Sequence, residues 1–281
     1  MRYRFAFLAL ALATAVPSSV FAQAVAAPPN PYKVLWVLRE TVKPGKGDAH
    51  DKLESEWARS LTAAKMPVGA LAMKSLTGPR ETWFVSGFPS YAEYARLNRM
   101  YEGNAALGAV AARFDPQEGD LLADARGMVL QARDDLSYGG PANLPKMRFF
   151  SVTRISVRPG MGPTFEEARL LVKRAHETAR ATDSYSIYEA TAGAPAGTFF
   201  VFAPRKSLAE IDDAPTIHGA AYTAALGGEE GRKKMAGMAA TYLISTQTDH
   251  FAFVPSQSIV GAAWAKEDPT FWKNQTVEPA P

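Results

Sequence analysis

The sequence predicts an α+β protein made of two diverged copies of one unit, and three observations carry that prediction. The run Val34–Val42 closes on Pro44 and Gly45, and 115 residues later the run Phe149–Val157 closes on Pro159 and Gly160. Apolar residues follow each turn at helical spacing. Beyond them, Ser90 with Glu93 and Ser207 with Glu210 sit at matching places, each just after an aromatic strand.

β-branched and aromatic runs stopped by Pro-Gly turns mark strands. After the first turn Leu53, Trp57, Leu61 and Ala64 recur at intervals of three and four; after the second, Phe165, Ala168, Val172 and Ala175 do the same. That period belongs to helices. Two short strands around a glycine turn come next, Ala70 to Ser75 and Thr82 to Ser86 about Gly78, then Tyr185 to Ala190 and Thr198 to Phe202 about Gly193. The two Ser/Glu pairs have the capping-box spacing, in which the serine accepts from the third helical amide and the glutamate reaches back. Ala/Gly-rich helical stretches then run over 104–125 and 214–240, before fourth strands near Met128 to Arg133 and His250 to Val254.

The organisation expected is therefore a signal peptide over 1–22, a first module over 31–138, a linker over 139–146, a second module over 147–259 and an aromatic tail over 260–281. Arg2 and Arg4 precede an apolar run from Phe5 to Val16, and Val20 and Ala22 are small residues at a cleavage site, the pattern of export to the periplasm or outside the cell. The apolar run is shorter than the roughly 20 residues that span a bilayer, so no membrane association is expected after cleavage.

The full chain carries 31 basic and 28 acidic residues; loss of Arg2 and Arg4 leaves 29 against 28. A nearly neutral protein has no field to attract nucleic acid, and that partner class is excluded. With no cysteine, disulfides, thiol catalysis and thiolate metal sites are excluded too, and stability has to come from a buried core.

The element order βαββαβ is the ferredoxin-like split βαβ. Two such modules resemble the dimeric α+β barrel superfamily, which includes antibiotic-biosynthesis-type monooxygenases, stress-responsive barrel proteins and NIPSNAP-like proteins. The resemblance covers residues 33 to about 258 and rests on element order, the Pro-Gly turns and the capping boxes. It implies two tandem ferredoxin-like modules that form an intramolecular α+β barrel, with a hollow between the sheets. Haem-degrading members use an Asn on the first strand, a Trp on the third and a His on the following helix. Here neither first strand holds an Asn, Trp83 has no His after it in its own copy, and His218 follows Phe199 in place of a Trp.

Arg39 and Arg154 are equivalent strand-end arginines. They are candidates for holding an anion at the mouth of the hollow, or else surface residues paired with acids such as Glu40. Trp83 and Tyr188 are candidate lining for a small apolar or aromatic ligand, or else core. Of the four histidines, His50 reads as solvated and His176 as packed. His218 and His250 are the candidate bases, the latter oriented by Asp249. No His/carboxylate set shows metal spacing, so neither metal nor cofactor is expected. The resulting expectation is an exported binder of a small apolar or aromatic molecule. Alternatives are a cofactor-independent monooxygenase-like or isomerase-like enzyme, and a structural or interaction protein with a closed barrel.

Overall fold

A computed structural model describes residues 30–212 and 219–272. The first β-rich run forms strand β1 (Val34–Val42), and the turn after it, with Gly45 at φ 78°, admits helix α1 (Gly47–Ala63). Strands β2 (Leu71–Ser75) and β3 (Glu81–Phe88), helices α2 (Tyr91–Glu102) and α3 (Ala105–Gly119), and strand β4 (Leu122–Ala132) complete the first half. The second half runs through β5 (Phe149–Val157), α4 (Gly162–Ala179), β6 (Ser186–Ala192), β7 (Thr198–Arg205), α5 (Ala209–Asp212), α6 (Ala220–Ala225), α7 (Gly228–Tyr242) and β8 (Leu243–Phe253). Helix α8 (Ala262–Glu267) follows. The starts of β1 and β5, of α1 and α4, and of β2 and β6 are each 115 residues apart.

The eight strands close into one antiparallel barrel in the order β1-β3-β2-β8-β5-β7-β6-β4. β1 lies between β3 and β4, just as β5 lies between β7 and β8. The halves join where β2 pairs with β8 and β4 with β6. Closure leaves no unpaired sheet edge.

Because side chains alternate along a strand, β1 sends Leu35 and Val37 into the barrel and Val34, Trp36, Leu38 and Glu40 toward the helices. The middle of the interior is filled, and the expected hollow is confined to one mouth. Trp83 lies 4.8 Å from the Phe251 ring and 6.0 Å from Phe200, while Tyr188 meets Phe202 edge-on at 5.8 Å. Rings from both halves interdigitate because each half supplies aromatics on its inward phase. A cavity of about 470 Å³ persists at the mouth where β1 and β5 begin, covered by Asn30–Tyr32, the linker and the segment around Val260. The tail closes over this end: Trp272 is buried, donates to the Pro145 carbonyl at 2.8 Å and packs edge-on against Trp264 at 5.8 Å.

β4 and β8 begin earlier than the sequence suggests. Their first residues, Leu122–Gly127 and Leu243–Asp249, are mostly exposed and carry no apolar pattern. Backbone pairing to β1 and β5, rather than side-chain burial, keeps them extended. Each capping box is half made. Ser90 accepts from the Glu93 amide at 3.1 Å, but Glu93 turns to Arg96. Glu210 reaches back to the Lys206 amide at 3.1 Å, capping a helix of one turn.

Candidate functional site

The outer face of the first half carries a pocket. Trp36, Leu38, Phe84, Ser86 and Phe88 form its floor on β1 and β3. Trp57, Ala58 and Leu61 on α1 and Tyr94, Leu97 and Tyr101 on α2 form its walls. Helix α2 buries none of its residues fully, so it stands off from the sheet and leaves a cavity of about 310 Å³. That lies at the small end of ligand pockets, which run about 300–1,000 Å³.

Polar groups converge at one end. On α1, His50, Glu54 and Ala58 recur every four residues and form a buried stripe facing the sheet. Glu40 comes up from the outward phase of β1 to meet it. The His50 Nε2 lies 2.9 Å from Glu40 Oε2, with His50 fully buried and Glu40 1% exposed. One oxygen or ring nitrogen from each of Glu40, His50 and Glu54 lies within 4.8 Å of the others. Glu118, from the end of α3, interacts with Glu40. Several buried polar atoms here have no hydrogen-bond partner: His50 Nδ1, which faces Asp51 Oδ1 at 4.0 Å, Glu54 Oε1, Trp57 Nε1 and Gln257 Oε1. Buried polar atoms are nearly always satisfied in folded proteins.

Burial pushes the carboxyls of Glu40, Glu54 and Glu118 upward, and for Glu54 the neighbouring charges of Glu40, Glu118 and Asp51 add to it. Burial lowers the His50 pKa and favours neutral imidazole. Among the described residues, no Lys or Arg pairs with Glu40 or Glu54.

Arg39, Trp83 and Glu81 sit together inside the barrel. Arg39 Nη2 donates to Glu81 Oε1 at 2.7 Å, its guanidinium lies 4.7 Å from the Trp83 ring, and Trp83 Nε1 donates to Glu81 Oε2 at 2.6 Å. Glu81 thus neutralises Arg39 and leaves it no anion to seek. Arg154 is exposed and bonds Gln247 at 3.2 Å. Tyr188 lines the mouth cavity, where its hydroxyl accepts from Asn30 and donates to the Tyr32 carbonyl; Trp83 is walled off from it by other rings. Ser151, at 3.0 Å, and not Asp249 partners the His250 ring. Adjacent strand residues point to opposite faces, which separates the two. His218 lies outside the described residues. His176 is packed among Tyr138, Tyr185 and Tyr222 as expected.

His50 is the largest departure from the sequence reading: it is buried against Glu40 rather than solvated. Two signals pointed there. Glu40 interrupts an apolar phase of β1, and His50 and Glu54 are four apart on one helix. The second half adds a third, since 115 residues on, the matching positions of β5 and α4 hold Ile155, Phe165 and Arg169. Phe165 is fully buried, with its ring 4.3 Å from Phe199.

No family model matches the chain, and no curated protein matches it. Among solved structures it is similar to an anthrone oxidase-like protein, at 17% identity over 79% of this chain and 92% of that one with a TM-score of 0.49. A Fusobacterium nucleatum subsp. nucleatum protein provisionally described as a monooxygenase gives 12%, 78%, 91% and 0.48 in the same terms. A mutant chlorite dismutase from Candidatus Nitrospira defluvii, in complex with cyanide, gives 11%, 81%, 93% and 0.43. Likeness this distant concerns the fold alone, and the chemistry of the pocket rests on this chain's own residues.

Proposed function

We propose that the protein binds a small apolar or aromatic molecule in the outer pocket of its first half, with the polar cluster of Glu40, His50 and Glu54 facing one end of the guest. The observation that carries this reading is the set of unpartnered polar atoms, Glu54 Oε1, Trp57 Nε1 and Gln257 Oε1, on the wall of an otherwise apolar cavity. An apolar pocket with a few convergent polar groups is the usual form of a small-molecule site.

On this reading the chain is two copies of one ferredoxin-like module. The first keeps the pocket. The second has filled the equivalent place with Phe165 and serves as its structural partner. Residues 1–22 are removed on export, so the mature protein works in the periplasm or outside the cell.

Trp36 and Trp57 line the pocket, so a bound aromatic should quench their fluorescence. Titration of the mature protein with 1-naphthol should give saturable quenching with one guest per chain. The variant Leu61→Trp places a larger side chain across the cavity and should abolish saturation while the far-ultraviolet circular dichroism is unchanged. Quenching that rises linearly with naphthol, or that is equal in Leu61→Trp, would sink the reading. Amino-terminal sequencing of protein from a periplasmic extract tests export: a start at Gln23 is expected, and a retained Met1 refutes it.

A further inference from the structure

We infer that Glu40, His50 and Glu54 bind a divalent first-row transition-metal ion at the inner end of the outer pocket. This goes beyond guest binding and stands without it.

The donor set comes first. Two carboxylates and one imidazole are oxygen and nitrogen ligands that suit borderline divalent ions such as Fe(II), Co(II) or Zn(II). Two carboxylates also match the charge of a dication, and the described residues supply no Lys or Arg to do so. The three donor atoms already lie within 4.8 Å of one another. Ligand atoms about 2.0–2.2 Å from an ion sit roughly 3–4 Å apart, so a small side-chain shift closes the set.

Unused capacity at the same place is the second observation. Glu54 is 5% exposed and lines the pocket, yet its Oε1 has no hydrogen-bond partner. A buried acceptor without a partner is costly, and an ion held with Glu40 and the His50 Nε2 that faces it would satisfy Glu54. Glu118, from the end of α3, interacts with Glu40 from outside the set, and an outer group of this kind can orient a metal-bound carboxylate.

The third observation comes from the other half. At the same positions the second half holds Ile155, Phe165 and Arg169 on the same elements. The fold therefore does not require acids or a histidine there. What the first half keeps against the cost of burial is a ligand set. Three protein donors leave coordination positions for water or for an oxygen of the guest, which narrows the guest to aromatics bearing a hydroxyl or carbonyl group.

Metal-stripped mature protein should be titrated with Co(II), which reports on its coordination through visible d–d absorption. One Co(II) per chain is expected, with bands that shift when a phenol such as 1-naphthol is added. His50→Phe, which installs the second half's residue, and Glu54→Gln, which is nearly isosteric, should each weaken Co(II) binding by about 100-fold or more. Melting curves report whether each variant folds, and Glu54→Gln decides the matter if His50→Phe does not. No stoichiometric uptake, or equal affinity in a folded variant, overturns the inference. Naphthol quenching in the presence of chelator is read separately. Quenching without Co(II) uptake leaves the pocket standing and removes the metal, whereas Co(II) uptake without quenching does the reverse.

Discussion

His50 and Phe165 stand at the same point of the first helix in their respective halves, each three residues past its opening glycine. One meets the Glu40 carboxylate at 2.9 Å, and the other meets the Phe199 ring at 4.3 Å. Matching helix positions are thus filled by polar chemistry in one half of the barrel and by packing in the other. The double variant Glu40→Ile with His50→Phe, copying the second half, should be at least as stable as the metal-free parent and up to about 3 kcal/mol more so, because buried ionisable pairs are often replaced by apolar residues without loss. Urea unfolding checks it. A loss above about 2 kcal/mol would mean that the cluster supports the fold.

The metal-free protein should lose stability as pH rises. Burial raises Glu40 to about 7, Glu118 to about 8 and Glu54 to about 9, each from 4.5. Between 4.5 and those values the folded chain holds protons that the unfolded chain releases. The stabilisation is therefore complete below pH 4.5 and declines as pH climbs toward about 9. Urea midpoints at pH 5.5, 7.0 and 8.5 should fall in that order. A midpoint that rises across the series would refute the burial of these acids.

Trp83 should matter to the barrel and not to the outer pocket. It is buried between Phe200 and Phe251, and its indole N–H is satisfied by Glu81. Trp83→Ala should cost about 3–5 kcal/mol in unfolding free energy, with naphthol affinity unchanged in the folded fraction. A change in affinity without a change in stability would move the guest into the barrel.

The two equivalent arginines should behave differently. Arg39 makes a forked contact with Glu81, which is 7% exposed, whereas Arg154 is exposed and reaches only Gln247. Arg39→Met leaves a buried carboxylate without its cation and should cost about 2–3 kcal/mol, while Arg154→Met should lie within about 0.5 kcal/mol of the parent. Thermal melts of both variants test the contrast; equal effects would argue for a shared role at one opening.

The sequence by itself determined that Val34–Val42 and Phe149–Val157 are corresponding strands, because β-branched runs, Pro-Gly turns and helical periodicity are local properties that each copy states in full. It also determined that a signal-like segment precedes them and that no thiol chemistry is available. The tertiary structure decided where the space lies. Trp83 looked like lining and is core, because rings arriving from both halves fill the middle of the barrel, whereas Tyr188 does line the cavity left at its mouth. A second cavity lies outside the barrel, between the first sheet and helices α1 and α2, the latter burying none of its residues fully. His50 lies in a helical turn with Asp48 and Asp51 and reads as solvated; its burial depends on Glu40, ten residues earlier on a strand, and on Glu118 at the end of α3. Such a cluster is set by the packing of three elements, and no local pattern records which of their faces will meet.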